Sequence, residues 1–228
     1  MPPLGNDVVD LEMEENCGKS GDSRFLSRVF AASEQALIAG AACPDALLWA
    51  LWAAKEAAYK AASRFDPAVS GSPRHYPVSI DDEQDNGLSE GSGGFRYLSD
   101  AGLSRDIPPR RLTGRVFTPL GTLALRVAVT ERYCHALAGE DAAALDRVAW
   151  RVAEERRGEG GDPSQRIRTA LCAAVAERLA CPAAEIEIRK DPSGPGVPSL
   201  FRRGGKLPFE ISLSHDGRFI AYAWRPDC

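Results

Sequence analysis

Lysine is scarce in this 228-residue chain. Only Lys19, Lys55, Lys60, Lys190 and Lys206 are lysine among 28 basic residues, the rest being arginine. A GC-rich coding sequence accounts for the bias, yet it exposes one coincidence: Lys55 and Lys60 lie within six residues of each other, beside Glu56. Positive charge is not in excess either. The 28 basic residues face 32 acidic ones, for a net charge of −4 and a pI near 5.5. No basic stripe is visible, which excludes a chain-wide nucleic-acid or anionic-membrane surface and leaves room only for a local basic pocket. None of the six cysteines (Cys17, Cys43, Cys134, Cys172, Cys181, Cys228) forms a C-x-x-C or a Cys/His cluster with zinc spacing. They read as reduced thiols of a cytoplasmic protein. No apolar run approaches the roughly 20 residues of a membrane span. Met1 to Asp7 has no basic region and no apolar core, so it does not read as a secretory signal. What is there is ordinary for a globular chain, 44% apolar and 26% charged. The length suits one large domain or two small lobes.

Gly5 to Leu11 is a short β-type run centred on Val8 and Val9. Arg24 to Gly40 reads as helical in one or two pieces, with Ser33 as the N-cap of the second. Pro44-Asp45 opens a strong Ala/Leu-rich helix from Ala46 to about Arg64. Asp66 to Gly94 is loop-like, with Gly91 to Gly94 its most flexible part. Two apolar runs, 115–118 and 122–130, flank Pro119-Leu120-Gly121 and predict a hairpin. Tyr133 to Leu137 closes the first half. The second half is expected to begin with a helix over 142–157. A Gly/Asp/Pro break at 158–163 follows, then a helix capped by Ser164 and running to about Ala180. Ile186 to Arg189 is expected as a strand, and 191–198 as a turn. A hairpin of 209–214 with 218–224 is expected around Asp216-Gly217. Both halves thus read as helix followed by strands, which points to two similar lobes.

Three segments carry chemistry. In Gly5-Asn6-Asp7-Val8-Val9-Asp10-Leu11 a carboxylate sits on a short buried strand. By itself that is most simply a turn aspartate, but a strand also holds a metal ligand rigidly. In Trp52-Ala-Ala-Lys55-Glu56-Ala-Ala-Tyr59-Lys60, residues 52, 56 and 60 form one helical stripe. The plain alternative is a surface ion pair worth a few tenths of a kcal/mol. Here the neighbours are alanines and aromatics instead of a polar face. A carboxylate and an ammonium on one stripe suit a Mg²⁺–diphosphate site, the acid binding the cation and the lysine neutralising phosphate. In Ser212-Leu213-Ser214-His215-Asp216-Gly217, a hydroxyl and an imidazole stand where strand meets turn, able to donate to phosphate. The plain alternative is a solvated turn histidine. A hydrolytic Ser–His dyad is disfavoured, because neighbours on a strand point to opposite faces.

Together these segments resemble the 4'-phosphopantetheinyl transferase superfamily, with its G-x-D segment, its W-x-x-K-E-A/S-x-x-K helix and its S-x-S-H strand end. Arg28-Val29-Phe30 with Glu34 is similar to the F-x-x-x-E stretch before the signature helix. The resemblance implies an α+β fold of two similar lobes, each a small antiparallel sheet with helices, arranged as a pseudo-dimer and monomeric. Residues 1–137 would carry the metal-site motifs and 138–228 the S-x-S-H motif. That order is the reverse of the larger two-lobe members, as in a circular permutation or an independent fusion. The alternative is the small holo-acyl-carrier-protein synthase type with a large insertion. The implied activity is Mg²⁺-dependent transfer of 4'-phosphopantetheine from coenzyme A to a serine of an acyl or peptidyl carrier protein. Asp7 and Glu56 would bind Mg²⁺, and Glu56 would take the serine proton directly or through a bound water. Lys60 would contact the diphosphate, Ser214 and His215 the coenzyme A phosphates, and Arg168 the 3'-phosphate. An acidic helical carrier would dock near Phe25–Phe30.

The departures are local. Val9 stands where two-lobe members have a second acid, leaving Asp10 or water as the third metal ligand. Gly196-Val197-Pro198 lacks the lysine of the family's G-K-P, and Lys206 is the candidate replacement. Two other classes compete: a non-catalytic binder of carrier or coenzyme A, and a metal-dependent phosphohydrolase or nuclease using the same acids.

Overall fold

The structure is a computed structural model that describes residues 4–84, 110–155, 162–191 and 197–226. The expected Gly91–Gly94 segment, the glycines at 158–161, Gly196 and Cys228 lie outside the described residues. The chain opens with strand β1, Leu4–Asp10. Two short helices follow, α1 (Ser23–Val29) and α2 (Ala32–Gly40), so the predicted helical stretch is indeed broken in two. The long helix α3 spans Pro44–Ala62 with proline in its first turn, as expected. Strands β2 (Val78–Gln84), β3 (Arg110–Thr118), β4 (Gly121–Val129) and β5 (Tyr133–Gly139) complete the first half. They form an antiparallel sheet in the order β1-β5-β4-β3-β2. The predicted β3–β4 hairpin is present, closed at Thr118 and Gly121.

Helix α3 shows why this half packs as it does. Ala50, Ala53, Ala54, Ala57, Ala58, Ala61 and Ala62 are all buried. Alanine is the strongest helix former and has almost no bulk, so strands approach this helix closely. Gly5 of β1 takes that approach to its limit. A Cβ at Gly5 would stand 1.9 Å from the Ala57 carbonyl oxygen. Ala57 belongs to a core with Phe30, Ile38, Leu48, Tyr76, Val116 and Leu125.

The second half contains α4 (Ala142–Asp146), β6 (Ala149–Glu154), α5 (Pro163–Arg178), β7 (Ile186–Lys190), β8 (Pro198–Arg202), β9 (Gly205–Lys206), β10 (Phe209–Asp216) and β11 (Phe219–Pro226). Two small sheets result, β10-β11-β6 and β7-β8-β9. In each half the first strand pairs with the last, and the last with the one before it. The halves also share a core in which Leu4, Val8 and Leu137 meet Leu145, Trp150, Val152 and Phe219.

Four expectations are corrected. The helix predicted over 142–157 stops at Asp146, and 149–154 is strand. Trp150 and Val152 alternate inward there and pair with β11, so tertiary pairing overrides the helical composition. Ser33 lies inside α2. The N-cap is Ala31, whose amide donates to the Glu34 carboxylate at 2.7 Å. Ser164 likewise lies inside α5, whose cap is the Asp162 carboxylate. Part of the loop predicted from Asp66 is strand β2, held antiparallel to β3.

Candidate active site

The site forms where β1 crosses the C-terminal half of α3. Glu56 and Lys60 lie four apart on one face of α3, and Arg64 follows in the turn just past its Ser63 cap. The Lys60 ammonium donates to Asp7 Oδ1 at 2.7 Å and to the Asn6 carbonyl at 3.1 Å. Glu56 and Lys60 do not pair with each other as an ordinary i, i+4 couple. The lysine turns to the strand and leaves the Glu56 carboxylate without a hydrogen-bond partner among the described residues. Burial raises the pKa of Glu56, and the neighbouring Asp7 charge raises it further, against the opposing pull of Lys60. Burial also raises the pKa of Asp7; Lys60 offsets part of this, while Asp216 adds to it. The Asp7 carboxylate thus stands close enough to disfavour the charge of Glu56, with the Lys60 ammonium opposing the shift at both.

That electrostatic state fits a hard divalent cation. Mg²⁺ is commonly held by one or two carboxylates and completes its shell with water and substrate phosphate. Asp7 and Glu56 supply two such ligands, and among the described residues no group of three or more His, Cys, Asp or Glu surrounds a common point. Asp10 is not free to be the third. It is fully buried, and its carboxylate accepts from Arg218 Nε at 2.9 Å, from the Arg218 guanidinium again at 2.7 Å, and from the Glu12 amide. Val9, the position that lacks an acid, sits in the α3 core.

The Lys55 of the same signature helix does something different. Its side chain is 1% exposed and pairs with the fully buried Glu34 at 2.7 Å. It also donates to the Tyr76 carbonyl at 2.9 Å, while Glu34 accepts from the amides of Ala31 and Val78. This ion pair ties α2, α3 and the start of β2 together, behind the face that carries Glu56. Trp52 packs on Phe25, with ring centroids 6.0 Å apart, and so joins α1 to the same helix. Phe30 and Glu34 are buried, while Arg24 and Arg28 of α1 and nearby Arg74 stay exposed.

Strand β10 approaches β1 from the second half. Ser214 is buried, and its hydroxyl accepts from the Asn6 side-chain amide at 3.1 Å. His215, the next residue, is exposed. The opposite-face expectation for this pair is therefore met, and the structure brings the segment to β1, the strand of Asp7. Arg168 lies half-buried on α5, and Lys206 pairs with Asp191 at 2.8 Å on the β7-β8-β9 sheet. No contact joins either to Asp7, Glu56 or Lys60 among the described residues.

Two residues without a role in the sequence reading belong to the junction. Arg64 donates to the Ile211 carbonyl and pairs with Glu210 at 3.5 Å, joining α3 to β10. His135 of β5 lies 3.2 Å from the Asn6 amide and stacks on Trp150 at 4.8 Å. Arg64 continues the spacing of 52, 56 and 60, but it sits in the turn past the end of α3. Nothing local marks His135.

Residues 3–97 match the family model of the 4'-phosphopantetheinyl transferase superfamily. The match covers less than half of the chain, and it is a likeness of this stretch to that superfamily. No curated protein matches the sequence. The matched stretch contains Asp7, Glu56 and Lys60, and its described part runs from β1 through α3 to β2. The Ser214–His215 segment and the rest of the second half lie beyond it. Members of this superfamily transfer phosphopantetheine from coenzyme A to carrier proteins, and the acid–lysine cluster lies within the stretch that resembles them. No helix among the described residues is long and apolar enough to cross a membrane.

Proposed function

We propose that this protein transfers 4'-phosphopantetheine from coenzyme A to a serine of an acyl or peptidyl carrier protein. One observation carries the reading: Gly5 lets β1 cross α3 closely enough to set Asp7 against Lys60 and beside Glu56. In this reading Asp7 and Glu56 hold Mg²⁺, which when bound supplies charge neutralisation for the coenzyme A diphosphate. Lys60 lies beside both acids and binds the same diphosphate. Glu56, without a hydrogen-bond partner among the described residues, takes the proton of the carrier serine. The serine Oγ forms a bond to the β-phosphorus as the bond from that phosphorus to the bridging oxygen breaks. Adenosine 3',5'-bisphosphate leaves and holo carrier remains. Positioning and charge balance supply most of the acceleration, as in other phosphoryl transfers.

The finer assignments rest on the same basis. His215, exposed beside the site, contacts a coenzyme A phosphate; Arg168 and Lys206 are assigned to the adenosine end. The halves 1–137 and 138–228 act as the two lobes of a pseudo-dimer. Its support is the shared strand scheme, first paired with last, and the core common to both. The pseudo-dimer reading goes with a monomer, and the reading of the cysteines as reduced thiols with a cytoplasmic location. The exposed arginines of α1 with half-buried Phe25 and Leu26 form the docking face for an acidic carrier.

The test is to incubate the protein with coenzyme A, Mg²⁺ and a panel of apo carriers, and to weigh the carriers by mass spectrometry. A phosphopantetheine-sized gain that Glu56→Gln abolishes is expected. Absence of Mg²⁺-dependent coenzyme A binding would sink the assignment, and free phosphopantetheine formed without a carrier would identify a hydrolase.

A further inference from the structure

Strands β1 and β10 lie side by side without joining one sheet. β1 belongs to the five-stranded sheet and β10 to a three-stranded one. Side chains of β10 bridge them instead. The Asn6 amide donates to Ser212 Oγ at 2.8 Å, and the Asp10 amide donates to Asp216 Oδ2 at 2.8 Å. Between these two, Ser214 Oγ accepts from the Asn6 side chain. Residues 212, 214 and 216 share one face of β10, and that face meets the edge of β1 that β5 leaves open. Ser212 and Ser214 are both buried.

Asn6 is the centre of this junction. It is fully buried and precedes Asp7. Its amide goes to Ser212, its side chain to Ser214 and His135, and its carbonyl accepts from Lys60. Asn6 therefore fixes where β1 lies relative to β10, β5 and α3, and so sets the point from which the Asp7 carboxylate projects toward Lys60.

We propose that Ser214, together with Ser212, is a positioning residue for Asp7, acting through Asn6, and that within the S-x-S-H segment His215 alone meets coenzyme A. This inference rests on the transferase reading above. It reassigns a hydroxyl that the family resemblance gives to phosphate. The Ser214 oxygen accepts from Asn6 and is buried away from solvent, and a buried side-chain amide that loses its partner costs on the order of 1–3 kcal/mol.

The experiment compares the full-length protein with Ser214→Ala, His215→Ala, Asn6→Ala and Asn6→Ala/Ser214→Ala, well below their melting temperatures. Coenzyme A affinity is measured by calorimetry with Mg²⁺, turnover with an apo carrier, and β1 amide exchange by mass spectrometry. Ser214→Ala is expected to lower turnover about 10- to 100-fold, to leave coenzyme A affinity within about threefold, and to speed exchange in residues 4–10. His215→Ala is expected to weaken coenzyme A binding. The double variant is expected to be no slower than Asn6→Ala alone, because residues acting as one unit are not additive. Coenzyme A affinity that falls about tenfold in Ser214→Ala with unchanged β1 exchange overturns the inference and makes the hydroxyl a ligand contact. Wild-type protein that binds no coenzyme A overturns the transferase reading instead, and the exchange measurement still decides whether Ser214 holds β1.

Discussion

Gly5→Ala is the sharpest test of how the site is assembled. The added Cβ would stand 1.9 Å from the Ala57 carbonyl oxygen and 2.9 Å from the Ala61 amide nitrogen, where contacts under 3.0 Å are essentially never seen. β1 must therefore move by at least about 1 Å from α3. It is not free to do so, because β5 pairs with one edge and β10 side chains hold the other. Overpacking of this kind costs about 1–3 kcal/mol, to be read as a lowered urea midpoint with an unchanged m-value. The functional cost is larger. The displacement acts on the 2.7 Å contact between Lys60 and Asp7, and a 1 Å misplacement at a reacting centre costs about 100-fold in rate. Turnover measured by carrier mass, per folded molecule, is the assay. Ala57→Gly is expected not to rescue, since the obstructing atom is main-chain. Gly5→Ala with wild-type melting and wild-type turnover would refute the claim that this crossing builds the site.

Other outcomes are expected from the same structure. Glu56→Gln should lower transfer by about 10²–10⁴-fold, the range for loss of a positioned base, while melting stays at or above wild type because a half-buried carboxylate whose charge is disfavoured there is removed; the two are read by carrier mass and calorimetry. Lys55→Met should destabilise by about 3–5 kcal/mol by leaving the buried Glu34 without its counter-charge, and Lys55→Met with Glu34→Leu should recover part of that loss in urea titrations. His135 gives a pH signature. Burial, and secondarily the Lys60 charge, lowers its pKa from 6.5 to about 3, so the folded protein keeps it neutral while the unfolded chain protonates it below pH 6.5. Stability from this residue therefore falls as pH drops, by about 2 kcal/mol between pH 7 and pH 5 at 1.36 kcal/mol per unit. Wild type minus His135→Gln, followed by urea denaturation across that range, should show this slope, and a flat difference would count against it.

Much of the site was legible because its residues lie on regular elements whose periods are known. The stripe of Trp52, Glu56 and Lys60 needs only helical spacing, and Pro44-Asp45 marks where that helix starts. The alternation of Ser214 and His215 follows from strand geometry, and Asp216-Gly217 announces the turn, where Gly217 does take a positive φ of 50°. The misreadings have two causes. Residues 149–154 have helix-compatible composition and become strand because β11 offers a ladder and the core takes Trp150 and Val152. Ser33 and Ser164 are plausible caps by type, yet neighbours with longer acidic reach, Glu34 and Asp162, do the capping.

The amino-acid sequence by itself determined the elements and the chemical inventory: an alanine-rich helix bearing an acid and a lysine on one face, a glycine-led strand with an aspartate, and a serine–histidine strand end. Local periodicity and side-chain type suffice for those. Which charges meet was decided only by tertiary structure. Lys60 pairs with Asp7 across 53 positions and not with Glu56 one turn away. Lys55 is buried against Glu34, and Asp10, expected as a possible metal ligand, is held by Arg218 from the far end of the chain. These partners follow from how closely β1 can lie on an alanine face and from which edge of it β10 reaches, distances that no spacing along the chain contains.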